Sequence, residues 1–158
     1  MLRPARPEDA EAMCRVHRAS VLTLAAEHYE TEQLEEWVVS LEPDHIRMAI
    51  ADRKEVGFVV ERDGRVVGFA LCDGDLVRAL YVHPAAARQG LGTLLLEALE
   101  NEAAARGVAR LRLYASVNSR CFYEANGYRV LRAGDYPLSG VEMMTCLEME
   151  KDVPNPGG

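Results

Sequence analysis

Two glycines, Gly90 and Gly92, flank Leu91 where an apolar run ending Leu80-Tyr81-Val82-His83-Pro84 gives way to a strongly periodic segment. A strand, a glycine turn and a helix start in that order present a row of free backbone N–H groups. The positive end of the helix dipole lies behind them. Such a row holds a phosphate or pyrophosphate without any lysine. Short glycine turns also precede helices for steric reasons alone, so this segment by itself leaves both readings open.

Four cysteines could carry chemistry of another kind, but Cys14, Cys72, Cys121 and Cys146 are scattered, with no paired metal-ligand spacing. Each has apolar neighbours, which reads as buried free thiols in a reducing cytoplasm rather than disulfides or a zinc site. No metal site is expected. A net charge of -7 argues against a nucleic-acid or anionic-membrane partner. No apolar stretch approaches the roughly 20 residues needed to span a bilayer. The start, Met1-Leu2-Arg3-Pro4-Ala5-Arg6-Pro7, does not lead into an apolar signal core. A chain of 158 residues with 49% hydrophobic and 27% charged residues reads as one globular cytoplasmic domain, about residues 1–150, with a frayed tail at 151–158.

The elements that must position the glycine turn follow from periodicity. After a short extended start, Glu8 and Asp9 begin a helix whose face is marked by Met13, Val16, Ser20, Val21 and Leu24. Thr31 is a plausible N-cap for a second helix carrying Leu34, Trp37, Val38 and Leu41, with His28-Tyr29-Glu30 between the two. From Val56 the period changes. Strands over 56–62 and 65–72 are joined by Asp63-Gly64, a strong hairpin signal, and Asp73-Gly74 leads into a third over 76–83. Leu91, Leu95, Leu99 and Ala103 then make the buried stripe of a helix closed by Gly107. A strand over 108–115 alternates Leu111 and Leu113 with Arg110 and Arg112; a short helix over 119–126 ends at Gly127. Segments 128–131 and 142–150 read as two further strands. The order is α-α-β-β-β-α-β-α-β-β after a short first strand: an α+β domain around a mixed sheet.

That order, with the glycine turn after the third strand and Phe122-Tyr123-Glu124-Ala125-Asn126-Gly127-Tyr128 near the end, resembles the GCN5-related N-acetyltransferase (GNAT) superfamily over about residues 1–150. His28-Tyr29 followed by a helix containing Trp37 is similar to its bacterial YafP-like branch. The resemblance implies a mostly antiparallel central sheet splayed in the middle, helices on both faces, and acetyl-CoA as donor. The gap would lie between strands 76–83 and 108–115. Backbone groups of Leu80, Tyr81 and Val82 would be left for the pantetheine arm. The pyrophosphate would lie on the amides of Arg88, Gln89, Gly90, Leu91, Gly92 and Thr93, where a Cβ at either glycine would hold the backbone away. One departure from the family pattern is Ala87, which stands where an Arg or Gln is usual.

By the same resemblance, Tyr123 is the general acid that protonates the leaving thiolate, and the Val82 N–H polarises the thioester carbonyl. Packing beside Phe122 is the plain structural reading of Tyr123. Ser116 and Asn118 compete for the pantetheine contact. His28 and Tyr29 are acceptor-site candidates, the alternative being a loop in which Tyr29 packs on Trp37. The base is left open: Asp73 and Asp75 are explained equally well by a turn, and His83 by a strand end. Met143, Met144 and Met149 read as packing. The expected function is N-acetyl transfer to a primary amine of a small molecule or peptide by direct attack in a ternary complex. A non-catalytic CoA sensor and a protein N-terminal or lysine acetyltransferase are the alternatives. Family members often pair through late strands, so a homodimer is a further expectation.

Overall fold

Asp63 and Gly64 both take positive φ (51° and 76°), the backbone of a tight hairpin turn, and the two runs they join pair as antiparallel strands. In the computed structural model, residues 1–52, 55–137 and 143–153 are described. Strand β1 (Leu2–Pro4) lies beside β2 (Val56–Arg62), which pairs with β3 (Arg65–Asp73) and then β4 (Leu76–Val82). Strand β5 (Arg110–Ser116), β7 (Met143–Asp152) and β6 (Arg129–Pro137) complete one sheet of order β1-β2-β3-β4-β5-β7-β6. Every neighbouring pair is antiparallel except β4 with β5.

Helix α4 (Leu91–Ala105) covers one face, burying Leu95, Leu96 and Leu99 against Val60, Ala70, Leu111, Leu113 and Met149. Short α5 (Arg120–Ala125) adds Tyr123 to that core. On the other face α1 (Ala10–Leu24) sets Met13 and Val16 on Phe69, Leu71 and Ala79. Helix α2 (Thr31–Val39) brings Leu34 and Trp37 to Val21, Met144 and Cys146. The mixed sheet is what the element order implied, and its mostly antiparallel pairing with helices on both faces is what the family resemblance implied.

Several details differ from expectation. A further helix, α3 (Pro43–Ala51), follows α2, with Pro43 at its start and Ile46 and Ala49 buried; the sequence reading passed over it. Glu30, not Thr31, caps α2, and its N–H donates to Gln33 Oε1 at 2.9 Å. Strand β6 runs to Pro137 with an irregularity between Val130 and Arg132, which puts Leu131 in the open and hides the alternation. Strand β7 continues through Asp152, and Val153 is buried with its N–H on Ala109 O at 2.8 Å, so the ordered chain passes the boundary set at 150. Residues 154–158, Glu142 and the side chains of Leu24 and Met143 lie outside what is described. All four cysteines are free. Cys72 and Cys146 are buried as expected, Cys14 is partly covered, and Cys121 is exposed on α5 against expectation.

Candidate active site

The parallel neighbours β4 and β5 pair at a single position, Leu76 with Arg112, where Arg112 N–H donates to Asp75 O at 2.9 Å. Beyond it the strands part. On its other side β4 stays paired to β3 as far as Val82, and His83 N–H reaches Val67 O at 2.7 Å. Hydrogen-bonded positions alternate along an antiparallel ladder. His83, Tyr81 and Ala79 therefore turn their backbone groups to β3, and Val82 and Leu80 turn theirs into the gap. The expectation of three open residues is corrected: the backbone of Tyr81 is engaged by β3. Its side chain and that of Ala79 lie on the α1 face, those of Leu80 and Val82 on the α4 face. The β3–β4 register shifts between Leu71 and Cys72, leaving Arg78 as the extra residue of a bulge. A bulge bends and twists its strand, which helps β4 peel away.

A cavity of about 1010 Å³ fills the gap and continues to the α1–α2 side. At its mouth, Leu94 is the first residue of the glycine turn and helix start whose N–H finds a main-chain carbonyl, Gly90 O at 3.1 Å. Among the described residues, none accepts from the amides of Arg88 to Thr93. Gly90 holds φ +77° as the N-cap of α4, and nothing lies within 4 Å of where its Cβ would be. Its requirement is conformational. Gly92 is different: a Cβ there would stand 3.0 Å from the Phe122 ring. Within the chain itself the two glycines therefore answer to different constraints, one of backbone conformation and one of packing. Arg88 has φ +62° and, like Thr93, lines the cavity; Gln89 is exposed.

The far wall is the end of β5. Tyr29 O–H donates to Thr145 O at 2.9 Å and accepts from Val117 N–H at 2.8 Å. Extending the β5–β7 register by one step would pair Val117 with Thr145 directly. The Tyr29 hydroxyl occupies that rung and ends the ladder. The chain then turns through Val117–Ser119 into α5. Tyr29 also packs edge-on against Trp37, ring centroids 5.6 Å apart. Donating to one main-chain group and accepting from another, the Tyr29 hydroxyl is a wedge between the strands. His28 does line the cavity. Ser116 Oγ is 2.9 Å from Ser119 Oγ, whereas the Asn118 Oδ1 is buried with no hydrogen-bond partner. A buried amide oxygen of this kind needs a donor, which a ligand N–H or a water supplies.

Tyr123 is 7% exposed and held edge-on by Phe122 and Tyr128 at 5.1 and 5.7 Å. Burial, with a smaller contribution from Tyr81, pushes its phenol above the usual tyrosine range, so it carries its proton throughout the neutral range. The base candidates are not brought in. Asp75 pairs with Arg112 at 3.2 Å on the surface, Asp73 is exposed, and His83 Nδ1 accepts from Ala85 N–H at 3.1 Å.

Sequence reasoning missed His17. It lines the cavity from α1, 2% exposed, with Nδ1 unpartnered. Its position one residue after Val16, on the helix face that was read as apolar, was the available signal. Its ring meets Tyr81 edge-on at 4.6 Å and Trp37 at 6.4 Å, and Trp37 Nε1–H donates to the Tyr81 hydroxyl at 3.1 Å. Loss of water pushes the imidazole down to about 4. Above about pH 6.5 the ring is neutral whether folded or unfolded, so it has no effect on stability. Between about 6.5 and 4 the unfolded chain binds a proton that the folded ring refuses. Stability therefore falls with pH across that window and levels off below it. Wild type should lose about 2 kcal/mol more than His17→Phe between pH 7 and about pH 4.5, read by urea unfolding; parallel losses would show the ring to be solvated.

The profile of the Acetyltransferase (GNAT) domain matches residues 25–150. The GCN5-related N-acetyltransferase "Aminotransferase, Class-II" from Rhodopseudomonas palustris is 33% identical over 96% of this chain and 94% of its own, with a TM-score of 0.87. The chain belongs to the GNAT acetyltransferase family. As a GNAT protein it is an acyltransferase, and it acts on an acceptor substrate. The PaiA N-acetyltransferase from Thermoplasma acidophilum, in complex with coenzyme A, is 24% identical over 96% of this chain and 98% of its own, TM-score 0.78. A phosphinothricin acetyltransferase from Sinorhizobium meliloti, in complex with AcCoA, is 20% identical over 97% and 88%, TM-score 0.69. Both share the fold. These matches carry the superfamily and not the narrower YafP-like branch. No curated protein matches the chain. Among the described residues, no helix is long and apolar enough to cross a membrane.

Proposed function

We propose that the chain transfers the acetyl group of acetyl-CoA to a primary amine by direct attack while both substrates are bound. The β4–β5 fork carries this reading. An extended arm with alternating amides adds to an open strand edge, and the Leu80 and Val82 backbone groups form such an edge. The residues present fit the donor at two further places: the unpartnered amides of Arg88 to Thr93 suit a pyrophosphate, and Asn118 Oδ1 suits an amide N–H of the arm.

Acetyl-CoA supplies a thioester whose carbonyl carbon is attacked and whose sulfur departs. Val82 N–H donates to the carbonyl oxygen, independent of side chain. The Tyr123 hydroxyl holds a proton for the sulfur. One catalytic domain performs the whole reaction, in the cytoplasm, where its cysteines stay reduced.

The test is release of free thiol from acetyl-CoA on addition of a panel of small-molecule and peptide amines. Amine-dependent release is expected. Tight acetyl-CoA binding without turnover on any amine would identify a sensor instead. Turnover on peptides alone would move the reading to a protein acetyltransferase. Asn118→Leu should raise the KM for acetyl-CoA roughly tenfold through the lost hydrogen bond; an unchanged KM would reassign the arm contact to Ser116.

A further inference from the structure

The α1–α2 end of the cavity has a composition of its own. His17, Trp37 and Tyr81 stand mutually edge-on, and Val21, Ala25 and Met144 close the space around them. The Trp37 N–H is engaged by the Tyr81 hydroxyl. The imidazole of His17 makes no hydrogen bond among the described residues, although its ring is almost wholly enclosed. A buried polar group left that way is costly unless a ligand or a water completes it. The position is also close to the chemistry. His17 packs on the side chain of Tyr81, the residue immediately before Val82, whose amide faces the fork.

We propose that this chamber receives a weakly basic primary amine carried on an aromatic body, and that the His17 imidazole accepts the hydrogen bond, and then the proton, from its nitrogen. The inference rests on the acetyl-transfer reading and deepens it by naming the acceptor class. The aromatic body packs against Trp37 and Tyr81, where rings stack or meet edge-on. The titratable groups lining this end are Tyr81 from β4, His28 after α1 and Cys146 from β7, beside His17 itself. Among the described residues, no carboxylate lines the cavity, so an alkylammonium would lose its water without gaining a counter-ion. A desolvated imidazole is neutral at pH 7 and too weak a base to strip a proton from an alkylammonium.

It can take one from a nitrogen that turns acidic as its bond to carbon forms. In the balanced step, the amine nitrogen bonds to the carbonyl carbon and the carbon–sulfur bond breaks. Tyr123 gives its proton to the sulfur, and the nitrogen passes a proton to His17. Water at the open mouth returns both groups to their starting state.

The experiment compares aniline with benzylamine as acceptors, on the wild-type chain and on His17→Leu and His17→Gln, from pH 6 to about pH 9.5. With wild type at pH 7, kcat/KM for aniline should exceed that for benzylamine at least about tenfold. The gap should narrow as pH rises toward the alkylamine's own pKa. His17→Leu should lower kcat for aniline by about 100-fold with the acetyl-CoA Kd unchanged, and His17→Gln, which restores an acceptor, should recover part of the loss. Benzylamine preferred at pH 7, or His17→Leu turning over aniline at the wild-type rate, would overturn the proposal and leave acetyl transfer standing. Trp37, the single tryptophan, lines the chamber, so its fluorescence reads occupancy without turnover. If neither amine reacts, saturable quenching by aniline that His17→Leu weakens supports the chamber, and absence of quenching overturns it. Failure to bind acetyl-CoA at all would instead sink the acetyl-transfer reading.

Discussion

Tyr123→Phe lowers kcat by about 100- to 1,000-fold and leaves the acetyl-CoA KM within about twofold of wild type, the size expected for loss of a positioned acid. The substitution removes one hydroxyl and little else. The ring stays wedged between Phe122 and Tyr128, and the Tyr123 carbonyl still accepts from Asn126 and Tyr128 N–H, both at 3.0 Å. Stability should therefore barely move. Because burial raises the phenol above its ordinary range, no fall in rate from Tyr123 ionisation should appear below about pH 10. Steady-state kinetics by thiol release check all three statements. A variant with unaltered kcat would return Tyr123 to the role of a packed aromatic.

Gly90→Val raises the acetyl-CoA Kd by at least about tenfold, while Gly90→Asn stays within about threefold of wild type. The difference comes from the backbone. Residue 90 sits at φ +77°, where a β-branched side chain is a genuine outlier and asparagine is tolerated. No protein atom lies within 4 Å of its Cβ, so bulk meets nothing within the chain itself. Valine would drag the turn toward negative φ and re-aim the amides that precede Leu94, at an expected cost of about 1–2 kcal/mol. Calorimetric titration of both variants decides. Equal affinities would mean that the pyrophosphate does not rest on this turn, and equal weakening would restore a steric reason.

The sheet, the hairpins and α4 were legible because each obeys a local rule. Asp63-Gly64 has one good backbone solution, and the Leu91, Leu95, Leu99 stripe has one good face. Helix α3 was lost because nine residues give only two buried positions between a proline and a polar end. The site divided in the same way. The glycine turn and Tyr123 sit in contiguous motifs that sequence can display. His17 and Tyr29 act through partners 64 and 116 or 88 residues away, Tyr81 for the first, Thr145 and Val117 for the second. Nothing along the chain announces such pairs. Tyr29 was noticed for its chemistry, but its hydroxyl serves the main chain. His17 was hidden by the apolar residues that give it its properties.

Strand β5 has a further consequence. It loses β4 beyond Leu76 on one edge and loses β7 beyond Cys146 on the other, where a phenol oxygen intervenes. Seven strands are thus two leaves, one of four and one of three, sewn by a single backbone stitch. An extended ligand arm laid along the seam would serve as the eighth strand. The donor would then brace the enzyme as well as react in it, and the product would leave only as that brace is withdrawn.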